Sequence, residues 1–373
     1  MKQEPRIQYV DYVSDIPILD KCDFIVSVLT SWQFDVAVAY IHTHNLTNGV
    51  LIVESVPFAN PVKYRITEEQ VSIYEGLFEG IYFCKNRKQP YKIGNLIKFL
   101  LSRKTGAPVF LLHPLSNISL RLLSNVCIHN REIHYVALDE GLSSYVPLMD
   151  SLKTMYSNTF TVYKKWCAQK LLNATGSFFV KTKEDFGLFD IHRKKLIPNK
   201  SACEALEQLY YDRVTPQNDS EYCILIFKDY QVIPDEQAIQ IIETILDGVG
   251  NSDVDIVIKK HPSDTRSSFD ETVSSRYPKV RIINSMISGE ELVAMYKPCA
   301  VVGGYSTVVI SSHFIFNVPV VSYSGFYIQN HSVSPMIERH ISFFMDQLGD
   351  YVTFCSNISD ISENLKKISQ LNK

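Results

Sequence analysis

The sequence predicts an α/β protein built from two doubly wound domains facing across a cleft. Three observations point there. Short apolar runs of strand length alternate with amphipathic helical stretches, the pattern of parallel sheets covered on both faces by helices. The alternation occurs twice, on either side of Pro216-Gln-Asn-Asp-Ser220, a stretch of turn formers with no apolar side chain between the flanking runs. The length of 373 residues suits two domains, each large enough to bury a core of its own.

In the first half, Phe24-Ile-Val-Ser-Val28 predicts a strand, and Thr30 and Ser31 offer an N-cap for a helix running to about Ile41. Val50–Val53, Ile81–Phe83, Val109–Leu112 and Ile133–Leu138 are further buried-strand candidates, with helical patterns at Ile93–Arg103 and Ser116–Cys127. From Asp139 to about Lys200 the sequence reads as polar and helical. Beyond the linker, strands are predicted at Tyr222–Phe227, Ile256–Ile258, Val280–Ile283, Ala300–Val302 and Val318–Val321. Pro234–Leu246 and Gly289–Tyr296 read as intervening helices. The domains drawn from this pattern are residues 1–215 and 216–373.

Composition excludes several classes. With 37 Lys plus Arg against 40 Asp plus Glu, the net charge is −3, which argues against a dedicated nucleic-acid protein. The eight cysteines contain no C-x-x-C pair, and several lie in apolar runs such as Tyr222-Cys-Ile-Leu-Ile-Phe227. Buried free thiols and a reducing compartment are the expectation. Charges in Met1-Lys-Gln-Glu-Pro-Arg6 leave no apolar signal stretch, and no run reaches the roughly 18 apolar residues of a membrane helix. A cytoplasmic location follows as an expectation, with peripheral membrane attachment left open.

In doubly wound sheets, ligands bind beyond the carboxyl ends of the strands. Three strand ends carry chemistry. The first is Leu138-Asp139-Glu140-Gly141, where two adjacent carboxylates precede a glycine that permits a tight turn. Neighbouring carboxylates repel, which raises one pKa and suits proton abstraction; an Asp/Glu turn capping a helix is the bland alternative. The second is Lys259-Lys260-His261-Pro262, where a proline limits where the imidazole points and the cations suit a phosphate leaving group. Its alternative is a strand-ending turn whose histidine caps a carbonyl. The third is Gly303-Gly304-Tyr305-Ser306-Thr307, where two hydroxyls stand at a helix start, the place where free amides and the helix dipole attract phosphate. It is not a Walker A loop, and an ordinary glycine turn with an N-cap is the alternative. His113-Pro114 also follows a strand but lacks neighbouring cations, so His113 reads as structural, with a place lining the cleft at a first-domain strand end as the alternative.

Taken together, Asp139-Glu140-Gly141, His261-Pro262 and Ser306-Thr307 resemble the motif series of bacterial sialyltransferases, in particular the capsule polysialyltransferases and lipooligosaccharide sialyltransferases. The motifs span residues 139 to 307; the flanking regions match only in α/β character. The resemblance implies a GT-B-type fold, with CMP-sialic acid bound by the C-terminal domain and the acceptor glycan entering from the N-terminal side. The reaction implied is inverting and needs neither metal nor cofactor. By motif position, Glu140 is the base on the acceptor hydroxyl and Asp139 a supporting or alternative carboxylate. His261, with Pro262 behind it, contacts the CMP phosphate and assists its departure, as do Ser306 and Thr307. Gly141, Gly303 and Gly304 are expected to bind substrate through the close backbone approach that their turns allow. Lys260 is added from charge alone. Asp253-Val-Asp255 reads as a solvated turn and not a metal motif.

Two other functions fit parts of this pattern. The CDP-glycerol polymerases of wall teichoic acid synthesis resemble it in the Lys-x-His-Pro stretch, but usually carry Asp where Gly304 stands and lack the acidic-Gly motif. A non-catalytic glycan-assembly protein is the third reading, weakened by the three intact polar strand ends. The near-neutral charge also hides a segregated segment: from Gly80 to Arg131 there is no Asp or Glu, while Lys85, Arg87, Lys88, Lys92, Lys98, Arg103 and Lys104 gather near its start. His192-Arg-Lys-Lys195 adds a second basic cluster. Either a solvated helix face or a surface meeting anionic lipid or glycan accounts for it.

Overall fold

Apolar β-branched residues dominate the runs that form strands, and in a computed structural model of the chain they build two all-parallel sheets. The structure describes residues 7–11, 15–16, 22–54, 66–84, 109–112, 133–139, 141–155, 159–164, 166–167, 170, 180–191, 195–216, 223–229, 232–249, 254–261, 264 and 267–371. The chain divides into two compact units, Met1–Ala205 and Leu206–Lys373. That division lies about ten residues before the Pro216 linker, inside a helix over Lys200–Arg213.

The first unit holds β1 (Ile7–Val10), β2 (Phe24–Val28), β3 (Gly49–Glu54), β4 (Phe78–Cys84), β5 (Val109–Leu112), β6 (Ile133–Leu138) and β7 (Val180–Phe186). Its helices are α1 (Ser31–Thr43), α2 (Glu68–Ser72) and α3 (Leu148–Met155), followed by α4 (Lys200–Arg213) across the division. The sheet order is β1-β4-β3-β2-β5-β6-β7. Leaving aside β1 at the edge, this is the doubly wound order 3-2-1-4-5-6, whose strand order reverses between β2 and β5. Strands β2 and β3 are buried along their whole length, as expected of a sheet covered on both faces. The Thr30 hydroxyl accepts from the Gln33 amide (3.2 Å), so the predicted N-cap starts α1.

The second unit holds β8 (Cys223–Phe227), β9 (Asp255–Lys259), β10 (Arg281–Ile283), β11 (Ala300–Gly303), β12 (Val320–Ser322) and β13 (Thr353–Phe354). Between and after them lie α5 (Asp235–Val249), α6 (Ser268–Arg276), α7 (Gly289–Tyr296), α8 (Thr307–Phe316), α9 (Ser324–Gln329), α10 (Pro335–Leu348) and α11 (Ile358–Leu371). The order β10-β9-β8-β11-β12-β13 is again doubly wound, with its switch point between β8 and β11. Ile224, Ile226, Ile258 and Val302 from the strands pack with Ile241, Ile242 and Ile245 of α5 and Leu365 of α11 in one buried core.

The predicted α/β class and nearly every predicted strand are observed. The stretch after Asp139 is corrected: it contains β7, so it is not wholly helical. β1, β7 and β13 were not predicted, and all three are edge strands with a single pairing partner. Edge strands tolerate polar residues, so Val180-Lys-Thr-Lys-Glu-Asp-Phe186 lacks the apolar run that marks a central strand. The patterns at 93–103 and 116–127, the basic segment 85–104, His113 and residues 192–194 lie outside the described residues.

No described helix is long and apolar enough to cross a membrane. Among the described residues Cys22, Cys84, Cys203, Cys223 and Cys355 are buried, and Cys167 and Cys299 half-buried, all as free thiols. Burial pushes the Cys84, Cys203 and Cys223 thiols up to about 12, which makes them poor nucleophiles.

Candidate active site

Strand register decides which residues leave each sheet together. In the first unit Leu112 pairs with Ala137, and Ala137 with Asp185, so Asp139 emerges from β6 beside Gly187. Asp139 is fully buried. Its Oδ1 accepts from the Trp32 indole N–H in the first turn of α1 and from the Gly141 amide (2.6 Å). Its Oδ2 accepts from the Tyr145 hydroxyl and the Leu188 amide (3.4 Å), and Leu188 also donates to the Tyr145 oxygen at 2.8 Å. Burial raises the Asp139 pKa, and these four donors work against that shift by favouring the carboxylate.

Two glycines make the arrangement possible. Gly141 has φ 101° and ψ −157°, a region that side chains disfavour. A Cβ on Gly187 would lie 2.2 Å from Asp139 Oδ2. Asp139 is therefore a saturated anchor that fixes the turn carrying Gly141. Glu140, between them in sequence, lies outside the described residues.

In the second unit Phe227 pairs with Lys259 on one side and with Gly303 on the other. The segments Lys228-Asp229, Lys260-His261 and Gly304-Tyr305 thus leave the same sheet edge around its switch point. Of the sequence-derived set, His261 follows β9, and Gly303, Gly304, Ser306 and Thr307 end or follow β11, at that same edge with β8 between them. His261 is half-buried. Ser306 is the N-cap residue of α8 (φ −144°, ψ 146°), yet its hydroxyl makes no capping bond to the helix. Gly304 is buried, and a Cβ there would meet Asp229 Oδ2 at 1.8 Å and the Tyr327 hydroxyl at 2.4 Å. Asp255, at the start of β9, sits at the opposite end of that strand from His261. Pro262 lies outside the described residues.

The lysines face away from a phosphate role. Lys260 Nζ pairs with Asp270 Oδ1 of α6 at 2.8 Å, and its side chain is 3% exposed. Lys259 Nζ donates to the carbonyls of Lys260 (2.9 Å) and Ser285 (2.8 Å). Burial lowers its pKa to about 8. Among the described residues no group of three His, Cys, Asp or Glu side chains could hold a metal ion.

Sequence reasoning missed the residues that support these turns: Trp32, Tyr145 and Gly187 in the first unit, Lys228, Asp229 and Tyr327 in the second. Lys228-Asp229 directly follow a predicted strand, so the strand-end rule contained the signal. Trp32, Gly187 and Tyr327 lie far along the chain from the turns they support, and Tyr145 follows Gly141 by four residues with nothing local to mark it as a donor.

Solved structures with a similar fold include a putative UDP-N-acetylglucosamine 2-epimerase from Listeria monocytogenes, with 10% identity, a TM-score of 0.54, and 94% of this chain and 88% of that one covered. The UDP-GlcNAc 2-epimerase from Methanocaldococcus jannaschii matches at 11% identity and a TM-score of 0.52, covering 92% and 91%. The GT-B domain of a Photobacterium damselae sialyltransferase matches at 14% identity and a TM-score of 0.46, covering 89% and 99%. No curated protein matches the sequence. Two doubly wound parallel units of this kind are the GT-B type of fold. Residues 24–324 match the family described as alpha-2,8-polysialyltransferase (POLYST), and the chain belongs to it. By class it is a sialyltransferase.

Proposed function

We propose that the protein transfers sialic acid from CMP-sialic acid to a hydroxyl of a surface glycan, capsule, lipooligosaccharide or lipopolysaccharide, with inversion and without a metal. The family description favours a sialic-acid-terminated acceptor and an α-2,8 linkage. The observation that supports the reading is the order of the second sheet, in which His261 after β9 and the Gly303–Thr307 turn after β11 leave the same sheet edge on either side of β8, at the switch point. A doubly wound sheet binds its ligand there.

In this mechanism the bond between the sialyl carbon and the CMP phosphate oxygen breaks through an oxocarbenium-like state. Negative charge develops on the departing phosphate. His261, the hydroxyls of Ser306 and Thr307, and the first amides of α8 supply donors to it, which is preorganised electrostatic stabilisation. Glu140 takes the proton of the attacking hydroxyl on the opposite face, so a single displacement inverts the anomeric centre. Asp139 is assigned a positioning role, because a fully buried carboxylate with four donors has no lone pair directed at an acceptor. Lys260 drops out of the donor site in this reading, its charge being matched by Asp270. The basic segment 85–104 is the proposed contact for an anionic membrane surface or acceptor.

The test separates the two roles. Glu140→Gln abolishes transfer while CMP-sialic acid still binds in calorimetry, whereas His261→Ala lowers both turnover and CMP affinity. Equal loss of donor affinity in both variants contradicts the assignment.

A further inference from the structure

Lys228 and Asp229 follow β8, which pairs with β9 on one side and, across the switch point, with β11 on the other. Successive side chains of an extended segment point to opposite sides, and here each goes to a different neighbour. Lys228 serves the β9 side. Its ammonium is fully buried and lies 2.6 Å from both Asp264 Oδ2 and Asp235 Oδ1, over the Phe269 ring at 5.0 Å. The Asp264 amide in turn donates to the His261 carbonyl (2.8 Å), and the Lys228 amide donates to the Lys259 carbonyl (3.0 Å). Lys228 is thus tied through Asp264 to the segment that begins at His261.

Asp229 serves the β11 side. Its buried carboxylate accepts from the Tyr305 amide and the Tyr327 hydroxyl, and its Oδ2 occupies the space that a Gly304 side chain would need. Tyr323, on the same segment as Tyr327, donates to the Phe227 carbonyl at 3.0 Å. A buried ion pair adds little net stability compared with apolar packing. This concentration of buried charge is therefore more than the core requires, and geometry is what it supplies.

We propose that Lys228-Asp229 is a positioning pair for the donor phosphate site: Lys228 sets the His261 segment through Asp264, and Asp229 sets the Ser306-Thr307 turn through Tyr305 and Gly304. The inference rests on the functional reading above. Neither side chain touches donor in this account. Each acts through the group it holds, and a displacement of about 1 Å in a catalytic group lowers turnover on the order of a hundredfold.

Double-mutant cycles on the full chain, read as kcat/KM for CMP-sialic acid, test it, because groups acting through one another are non-additive. Asp264→Asn keeps an acceptor for Lys228 and serves beside Lys228→Met, which leaves the buried Asp264 and the half-buried Asp235 without their cation and is first checked by circular dichroism. The expected result is that either variant combined with His261→Ala loses no more than about twofold beyond His261→Ala alone. The same variants combined with Ser306→Ala lose the product of the two single effects, and Asp229→Asn shows the reverse preference. Multiplicative losses in every combination, with a normal His261→Ala defect, overturn the positioning role and leave the functional reading intact. Wild-type turnover in His261→Ala overturns the functional reading and this inference with it.

Discussion

Replacing Asp139 probes whether the acidic motif of the first unit is held by a buried hydrogen-bonded anchor. In Asp139→Ala the Trp32 indole, the Gly141 amide and the Tyr145 hydroxyl all lose their acceptor, while the Leu188 amide keeps the Tyr145 oxygen at 2.8 Å. Each buried donor left without a partner costs about 1–3 kcal/mol. Three of them amount to about 3–9 kcal/mol, partly offset because a desolvated carboxylate is removed. The expected net loss is about 3–5 kcal/mol, the range for breaking a buried charged network. Asp139→Asn keeps one accepting oxygen and the shape of the side chain. With its amide nitrogen in the Oδ2 place it faces two former donors, of which the Tyr145 hydroxyl can rotate to accept from it while the Leu188 amide keeps the Tyr145 oxygen. A loss of about 1–2 kcal/mol follows. The assay is guanidinium unfolding followed by far-UV circular dichroism, with Trp32 emission as the local probe. A shift in midpoint at constant slope reports stability. An Asp139→Ala protein within about 0.5 kcal/mol of wild type, the ordinary range for surface substitutions, refutes the anchor. So does an Asn variant less stable than the Ala variant.

Two further predictions concern the second unit. Gly304→Ala forces a Cβ to within 1.8 Å of Asp229 Oδ2 and is expected to destabilise by about 1–3 kcal/mol and abolish donor binding, whereas Gly76→Ala, with nothing within 4 Å, stays within about 0.5 kcal/mol of wild type. Equal melting temperatures for the two variants contradict this. Burial lifts the Asp229 pKa from 3.8 to about 6, so the folded state holds that proton more tightly than the unfolded chain and stability falls as pH rises through that interval. Wild type should lose about 3 kcal/mol relative to Asp229→Asn between pH 3 and pH 8, about half of it above pH 5. A stability difference that does not change with pH contradicts the assignment.

The central strands were legible because burial on both faces demands continuous apolar residues. Phe24–Val28 and Val109–Leu112 are observed with the predicted bounds. Three of the four edge strands, β1, β7 and β13, escaped because one open side relaxes that demand, as the charged β7 shows, whereas the edge strand β10 was predicted at Val280–Ile283. The strand-end rule located Asp139, His261 and the Gly303–Thr307 turn, since chain order alone puts those residues after strands. It did not separate anchors from reacting groups. Asp139 and Glu140 are alike in sequence, and only the four donors converging on Asp139 from α1, Gly141, Tyr145 and Leu188 distinguish it. Lys260 looked like a phosphate ligand because charge is visible in sequence, whereas its partner Asp270, ten residues away on α6, is visible only in the fold.

Sialyl transfer from a CMP-activated donor is the activity on which every residue role above depends. Mass spectrometry of the products formed from CMP-sialic acid and sialic-acid-terminated or galactose-terminated oligosaccharides, with Glu140→Gln alongside, tests that claim most directly. The expected result is an acceptor heavier by whole sialyl residues, stoichiometric CMP release, undiminished turnover in EDTA, and no product with the variant. Turnover with CDP-glycerol or a UDP-sugar and none with CMP-sialic acid would contradict it.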